Sequence, residues 1–197
     1  MVSGTPIHRP NGQTKAADAA APTFGPSKEL DFELEVAFIT GKETALGTVV
    51  TPDEAEDHIF GMVLFNDWSA RDIQRWEYVP LGPFLAKNFA STVSPWVVTM
   101  DALKPFRVKG PVQEPKPLPY LHFTGDHNID INLEVQLQPL NGQASPICRS
   151  NYKYMYWNMS QQLAHQTSNG CNLQIGDMYA SGTISGSPAL DRPSSSR

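Results

Sequence analysis

Two nine-residue stretches alternate polar and apolar side chains, broken only at Ala37, and nothing else in the sequence constrains the fold as much. In 30–38, Leu30, Phe32, Leu34, Val36 and Phe38 alternate with Asp31, Glu33, Glu35 and Ala37. In 129–137, Ile129, Ile131, Leu133, Val135 and Leu137 alternate with Asp130, Asn132, Glu134 and Gln136. A period of two puts successive side chains on opposite faces, so both stretches predict half-buried strands. Ser94–Met100 and Asp177–Gly186 predict further strands, and the apolar run Ile59–Phe65 predicts a buried segment, helix or strand. Pro52–His58 is polar and opens a short helix. Ser69 with Asp72 resembles a capping box and predicts a helix over Ser69–Trp76. A second helix is expected from Ser150, along Tyr152, Met155, Tyr156, Met159 and Leu163, to the stop at Asn169-Gly170. Proline-rich Pro105–Pro119 reads as a long surface loop. The expected fold is β-rich mixed α+β, one domain over 1–186, with 187–197 a disordered polar tail.

Composition narrows the function. Forty per cent of the 197 residues are apolar and 18% charged, an ordinary globular balance, and the formal net charge is -5. No basic stretch favours nucleic acid or an anionic membrane, and no apolar run is long enough to cross a bilayer. The segment Met1–Lys15 has no apolar signal core. Cys148 and Cys171 match no zinc spacing and read as buried, reduced thiols.

Chemistry is concentrated in a few strings. Glu33 and Glu35, two apart on a strand, share a face and can converge on one hard cation such as Mg²⁺ or Ca²⁺. By spacing alone, a solvated strand face with Asp31 as a third exposed acid explains them better. Asp67 lies between the apolar run and the helix, placed to cap the helix or to give a third oxygen. If that helix holds, Arg71, Gln74 and Tyr78 share a face with Asp67 and suit a carboxylate-bearing ligand. A surface helix with Arg71 or Arg75 paired to Asp72 is the plainer alternative. Lys87, in an apolar cluster, is either aimed at an anion or a surface lysine. Gly182-Thr183-Ile184-Ser185-Gly186 offers backbone N–H groups or a tight turn. His8, His58, His122, His127 and His165 have no metal-ligand spacing.

As strings these residues are more specific. Leu30–Phe38, His58–Gln74 with its NDWSARD core, WEYVPLGPF at Trp76–Phe84, Thr92–Val98, Tyr152–Trp157, Asn169–Leu173 and Ala180–Gly186 together resemble the fumarylacetoacetases. NDWSARD is shared with the wider superfamily, and WEYVPLGPF points to the fumarylacetoacetases themselves. The resemblance implies a fumarylacetoacetase-type β-roll of the C-terminal catalytic domain, incomplete, in a cytoplasmic homodimer. It implies hydrolysis of a C–C bond in a diketo acid, 4-fumarylacetoacetate, giving fumarate and acetoacetate at the last step of tyrosine and phenylalanine breakdown. Glu33, Glu35 and Asp67 would hold Mg²⁺ or Ca²⁺, with Lys87 and Ser91 (a threonine in the family) beside it. Gln74, Tyr78 and Thr183 would contact substrate, and Arg71, Gln74 and Lys87 would stabilise the departing carbanion. The family's base histidine falls before this segment and its glutamate partner after Gly186, so the chain is expected to be truncated at both ends and inactive alone. The alternative is a non-catalytic relative that binds metal or a full-length partner.

Overall fold

The computed structural model describes residues 1–186; the tail expected at 187–197 lies outside the described residues. The chain forms two compact units, Met1–Glu35 with Leu64–Trp96, and Val36–Val63 with Val97 onward.

In the first unit, β1 (Asn11–Thr14) and β2 (Thr23–Pro26) form an antiparallel hairpin. The strand expected over Leu30–Phe38 is interrupted. Only β3 (Leu30–Asp31) and β4 (Leu34–Thr40) are extended and paired. Side chains capture the donors between them: Phe32 N–H donates to Asp31 Oδ1 (2.9 Å) and Glu33 N–H to Asn66 Oδ1 (3.1 Å). These local bonds compete with a sheet ladder. The apolar run is a strand, β5 (Ile59–Asp67), and its end pairs with β7 (Ser91–Val93), Asp67 opposite Ser91. Between them, β6 (Ser69–Ala70) pairs with β3 and leads into α1 (Arg71–Glu77). The capping box expected of Ser69 and Asp72 does not form. Ser69 Oγ donates to Asp67 O, and the Asp72 carboxylate accepts from Ser27 Oγ (2.6 Å) and Lys28 N–H (2.8 Å) instead. Ala70, Ile73 and Ala86 form the unit's small core, with Phe89 against it. A Cβ on Gly12 would lie 2.6 Å from Ile73 Cδ1, so only glycine lets β1 approach α1 this closely.

In the second unit, β13 (Met178–Ala180) pairs with β4, placing Tyr179 opposite Phe38 with their rings stacked at 5.0 Å. The strand expected over Ser94–Met100 is broken: Ser94 Oγ accepts Trp96 N–H in a turn that belongs to the first unit, β8 (Val98–Thr99) pairs with β5, and Met100 opens α2 (Met100–Leu103). Inside the proline-rich loop, β9 (Arg107–Val108) pairs with β10 (Asn128–Ile129), a piece of regular structure that the loop was not expected to hold. The alternation at 129–137 gives β10 and β11 (Asn132–Leu137); Ile129 and Leu133 are buried, Leu137 exposed. The helix expected from Ser150 starts nine residues later, because Ser145–Asn151 is taken as β12, the partner of β11. Helix α3 (Met159–Thr167) begins instead at a capping box of Asn158 and Gln161. Gly170, at φ +88°, makes the turn beyond its end. Cys148 is half-buried and Cys171 exposed, so the expectation of buried thiols fails at Cys171; no disulfide joins them. No helix among the described residues is long and apolar enough to cross a membrane.

The second unit also holds an ionic cluster. Glu56 pairs with the Arg107 guanidinium and with His127 Nδ1 (2.9 Å), while His127 Nε2 faces the Thr124 carbonyl at 2.7 Å. Ser160 Oγ lies 2.8 Å from the same Nδ1. Both ring nitrogens face acceptors, so the doubly protonated ring fits best. The hydrogen bond to Glu56 accordingly raises the His127 pKa against the cost of burial. Burial pushes Glu56 upward, but His127 and Arg107 outweigh it and hold its carboxyl at about 2.

Candidate metal centre

The first unit brings three carboxylates together. Glu35 lies in β4, Glu33 just before it, and Asp67 ends β5; the Asp67 N–H donates to the Glu33 carbonyl (3.3 Å). One oxygen of each of the three lies within 4.8 Å of the others. Glu35 is 3% exposed. The outer-face reading of these acids therefore fails: the two glutamates turn inward toward Asp67.

Two cations close on this cluster. Lys87 Nζ lies 2.7 Å from Glu33 Oε2 and 3.0 Å from Asp67 Oδ2, its side chain 19% exposed. It is the anion-facing lysine, not a surface one. Arg71 forks, its Nε on Asp31 (2.9 Å) and its Nη1 on Glu33 Oε1 (2.8 Å) and Gln74 Oε1 (3.0 Å). The pairing with Asp72 is not formed; Arg75 binds Glu29 at 2.6 Å. Burial raises the Glu33 pKa, yet Lys87 and Arg71 together hold it below the usual carboxylate range. Burial likewise works against Arg71, and Asp31 and Glu33 overcome it to raise its pKa. Ser91 Oγ reaches Asp67 Oδ1 at 3.5 Å, as their cross-strand register dictates.

Lys87 is held in place by a residue that sequence reasoning passed over. The Glu77 carboxylate, at the end of α1, accepts backbone N–H bonds from Phe84 (2.8 Å), Leu85 (3.3 Å) and Ala86 (2.7 Å). Those bonds set the path of the loop that delivers Lys87 to Glu33. Asp31, expected only as an exposed acid, orients Arg71. WEYVPLGPF contains Glu77, but only the folded loop shows what it binds.

The remaining expected site residues are less engaged. Tyr78 caps α1, half exposed, its N–H on Gln74 O. Thr183 belongs to the second unit, exposed in the segment after β13. His58, His122, His127 and His165 are also in the second unit and His8 in the first, and none of the described hydrogen bonds or ion pairs of the acid cluster comes from a histidine.

The donor set suits a hard divalent cation. Three carboxylate oxygens within 4.8 Å of one another can share one hard cation such as Mg²⁺ or Ca²⁺.

The sequence from 1 to 195 matches the family model described as fumarylacetoacetate (FAA) hydrolase C-terminal. The chain is 61% identical to the fumarylacetoacetase of Bos taurus over 187 residues, and 60% identical to those of Caenorhabditis elegans (188 residues) and Homo sapiens (187 residues). In each case 94% of this chain is aligned, and it spans 45% of the relative's length. Among solved structures, a putative fumarylpyruvate hydrolase from Burkholderia cenocepacia superposes with a TM-score of 0.58 at 19% identity, over 94% of this chain and 81% of that one. A 2-hydroxyhepta-2,4-diene-1,7-dioate isomerase from Mycobacterium marinum gives 0.54 at 20% identity, over 92% and 66%. Those two likenesses concern the fold alone, which is the β-rich mixed α+β fold expected. With three inward carboxylates, two cations that serve them and a family match over nearly its whole length, this chain belongs to the fumarylacetoacetate hydrolase family, in the part that forms the C-terminal domain.

Proposed function

We propose that the chain carries the cation-binding part of a fumarylacetoacetase site, in which 4-fumarylacetoacetate is hydrolysed to fumarate and acetoacetate at the end of tyrosine and phenylalanine breakdown. The observation that carries this reading is the convergence of Glu33, Glu35 and Asp67 beside Lys87 and Arg71. In it the three carboxylates hold Mg²⁺ or Ca²⁺, which supplies Lewis-acid polarisation of the diketo oxygens. The protein's own groups do the rest. Water adds to the carbonyl carbon that becomes the fumarate carboxylate, the adjacent C–C bond breaks, and its electron pair leaves with acetoacetate as an enolate that then takes a proton. The cationic ends of Arg71 and Lys87, fixed by their bonds to Asp31, Glu33 and Asp67, and the Gln74 amide, whose oxygen accepts from Arg71, meet that developing charge without reorganising. Gln74, Tyr78 and Thr183 are assigned to substrate contact. Ser91 keeps the Asp67 carboxylate turned toward the ion. The assembly is taken to be a cytosolic homodimer, which light scattering would show as twice the chain mass.

Water activation needs a base, and no histidine contact with the acid cluster is described. Removing a general base costs about 10²–10⁴ in rate, so the chain alone should be that much slower than a site containing one. The test is fumarylacetoacetate hydrolysis by the 197-residue chain with and without added imidazole. Slow turnover that imidazole accelerates and Asp67→Asn abolishes supports the reading. No turnover even with imidazole, while Mg²⁺ or Ca²⁺ still binds, would favour a non-catalytic relative.

A further inference from the structure

The second unit contains a cavity of about 740 Å³ that none of the acid-cluster residues lines. Its size falls in the range of small-molecule sites, about 300–1,000 Å³. Three segments form it: the proline-rich loop at 115–121, helix α3 with the aromatic pair just before it, and the end of β13.

The wall is built, not left over. Gln161, 1% exposed, ties the loop to the helix with its whole amide: its Nε2 donates to Gln113 Oε1 and Leu121 O (both 2.9 Å), and its Oε1 accepts from Gln113 Nε2 (2.9 Å) and Asn158 N–H (3.3 Å). Tyr156 OH donates to Glu114 O, and Tyr120 OH meets His165 Nδ1 at 3.0 Å. A loop fixed at so many points holds the cavity open before any ligand arrives, which lowers the ordering cost of binding.

The chemistry of the wall is specific. Tyr120, Tyr156, Trp157 and Tyr179 supply flat apolar faces, and the first three remain partly exposed, as apolar surface left for an occupant does. Among the described residues no Asp or Glu lines the cavity, while the cation Lys116 does. On the α3 side, the Gln162 amide N–H groups are turned to Ser181 O (3.3 Å) and Trp157 O (3.5 Å). We propose that this cavity binds a flat aromatic carboxylate: the ring lies among the aromatic side chains and the carboxylate pairs with Lys116.

The probe is indole-3-acetate, titrated into the ¹⁵N-labelled full chain, with indole-3-acetamide lacking the charge. Indole-3-acetate should saturate, with shifts confined to 113–121, 156–166 and 179–181, and the amide should bind more weakly. Lys116 is exposed, so Lys116→Gln leaves the fold intact; it should weaken the acid about tenfold and leave the amide unchanged. Shifts elsewhere, equal binding of acid and amide, or an acid affinity untouched by Lys116→Gln would overturn the proposal. So would dilution-dependent shifts of the same residues without ligand, which would mean that a second copy covers the cavity.

Discussion

Lys87 is the residue on which the charge balance of the acid cluster turns. Its ammonium bridges Glu33 and Asp67, two carboxylates that would otherwise repel each other at low exposure. Replacing Lys87 by Met leaves both without that partner and should cost about 1–3 kcal/mol of stability without divalent ions. Added Ca²⁺ should recover most of it, because the ion can take over the neutralisation; urea denaturation with and without Ca²⁺ measures both effects. The same pairing sets an acid dependence. The folded-state pKa of Glu33 lies below its ordinary 4.5, so its contribution is present above that value and is lost as pH falls through the lowered one. At this scale the strings in the sequence located the acids well. Asp67 sits 32 and 34 residues along the chain from Glu35 and Glu33, and only the family resemblance placed the three together. The chain pattern itself pointed the other way, to an exposed polar face, because alternation shows which residues share a face and not whether that face is later covered.

Among the elements, the segment from Glu77 to Lys87 has the most consequence for the site. A single carboxylate organises its last turn through three backbone N–H groups. Glu77→Gln keeps the size but halves the acceptors and removes the charge; about 1–2 kcal/mol of stability should be lost. Because the loop carries Lys87, the variant should also weaken the dependence of stability on pH that Glu33 confers, which a pH series of urea melts would show. The Glu56–His127–Arg107 cluster makes an opposite prediction. The pKa of His127 is raised above 6.5, so its stabilisation is complete below that value and declines as pH rises through the raised one. That of Glu56 is held at about 2, so its share is present above 4.5 and lost only as pH falls toward 2. Together they place greatest stability at about pH 5–6. His127→Gln should flatten the decline above pH 6.5 in denaturation curves taken between pH 5 and 9. Elements were legible where sequence pattern and tertiary pairing agreed, as at β11 and the end of α3. They were misread where pairing overrode pattern: Ser150 looked like a helix cap, yet β11 recruited 145–151 as its partner, and the true cap was the Asn158–Gln161 box.

For the whole molecule, family membership is fixed by sequence, while the chemistry of these 197 residues depends on whether the carboxylates act as one site. Glu33→Gln, Glu35→Gln and Asp67→Asn should each abolish whatever hydrolysis the chain performs with imidazole, whereas Glu29→Gln, which breaks only the exposed pair with Arg75, should not change it by more than about twofold. What the sequence alone withheld at this scale was the division into two units and the cavity of the second, since both arise from contacts between residues far apart in the chain. The most direct measurement is calorimetric titration of the full chain with CaCl₂ and MgCl₂. One ion bound per chain, with affinity at least about tenfold weaker in Glu35→Gln and in Asp67→Asn while the circular dichroism stays unchanged, is the predicted result. A chain that takes up neither ion, or variants that bind as tightly as the unaltered protein, would contradict it.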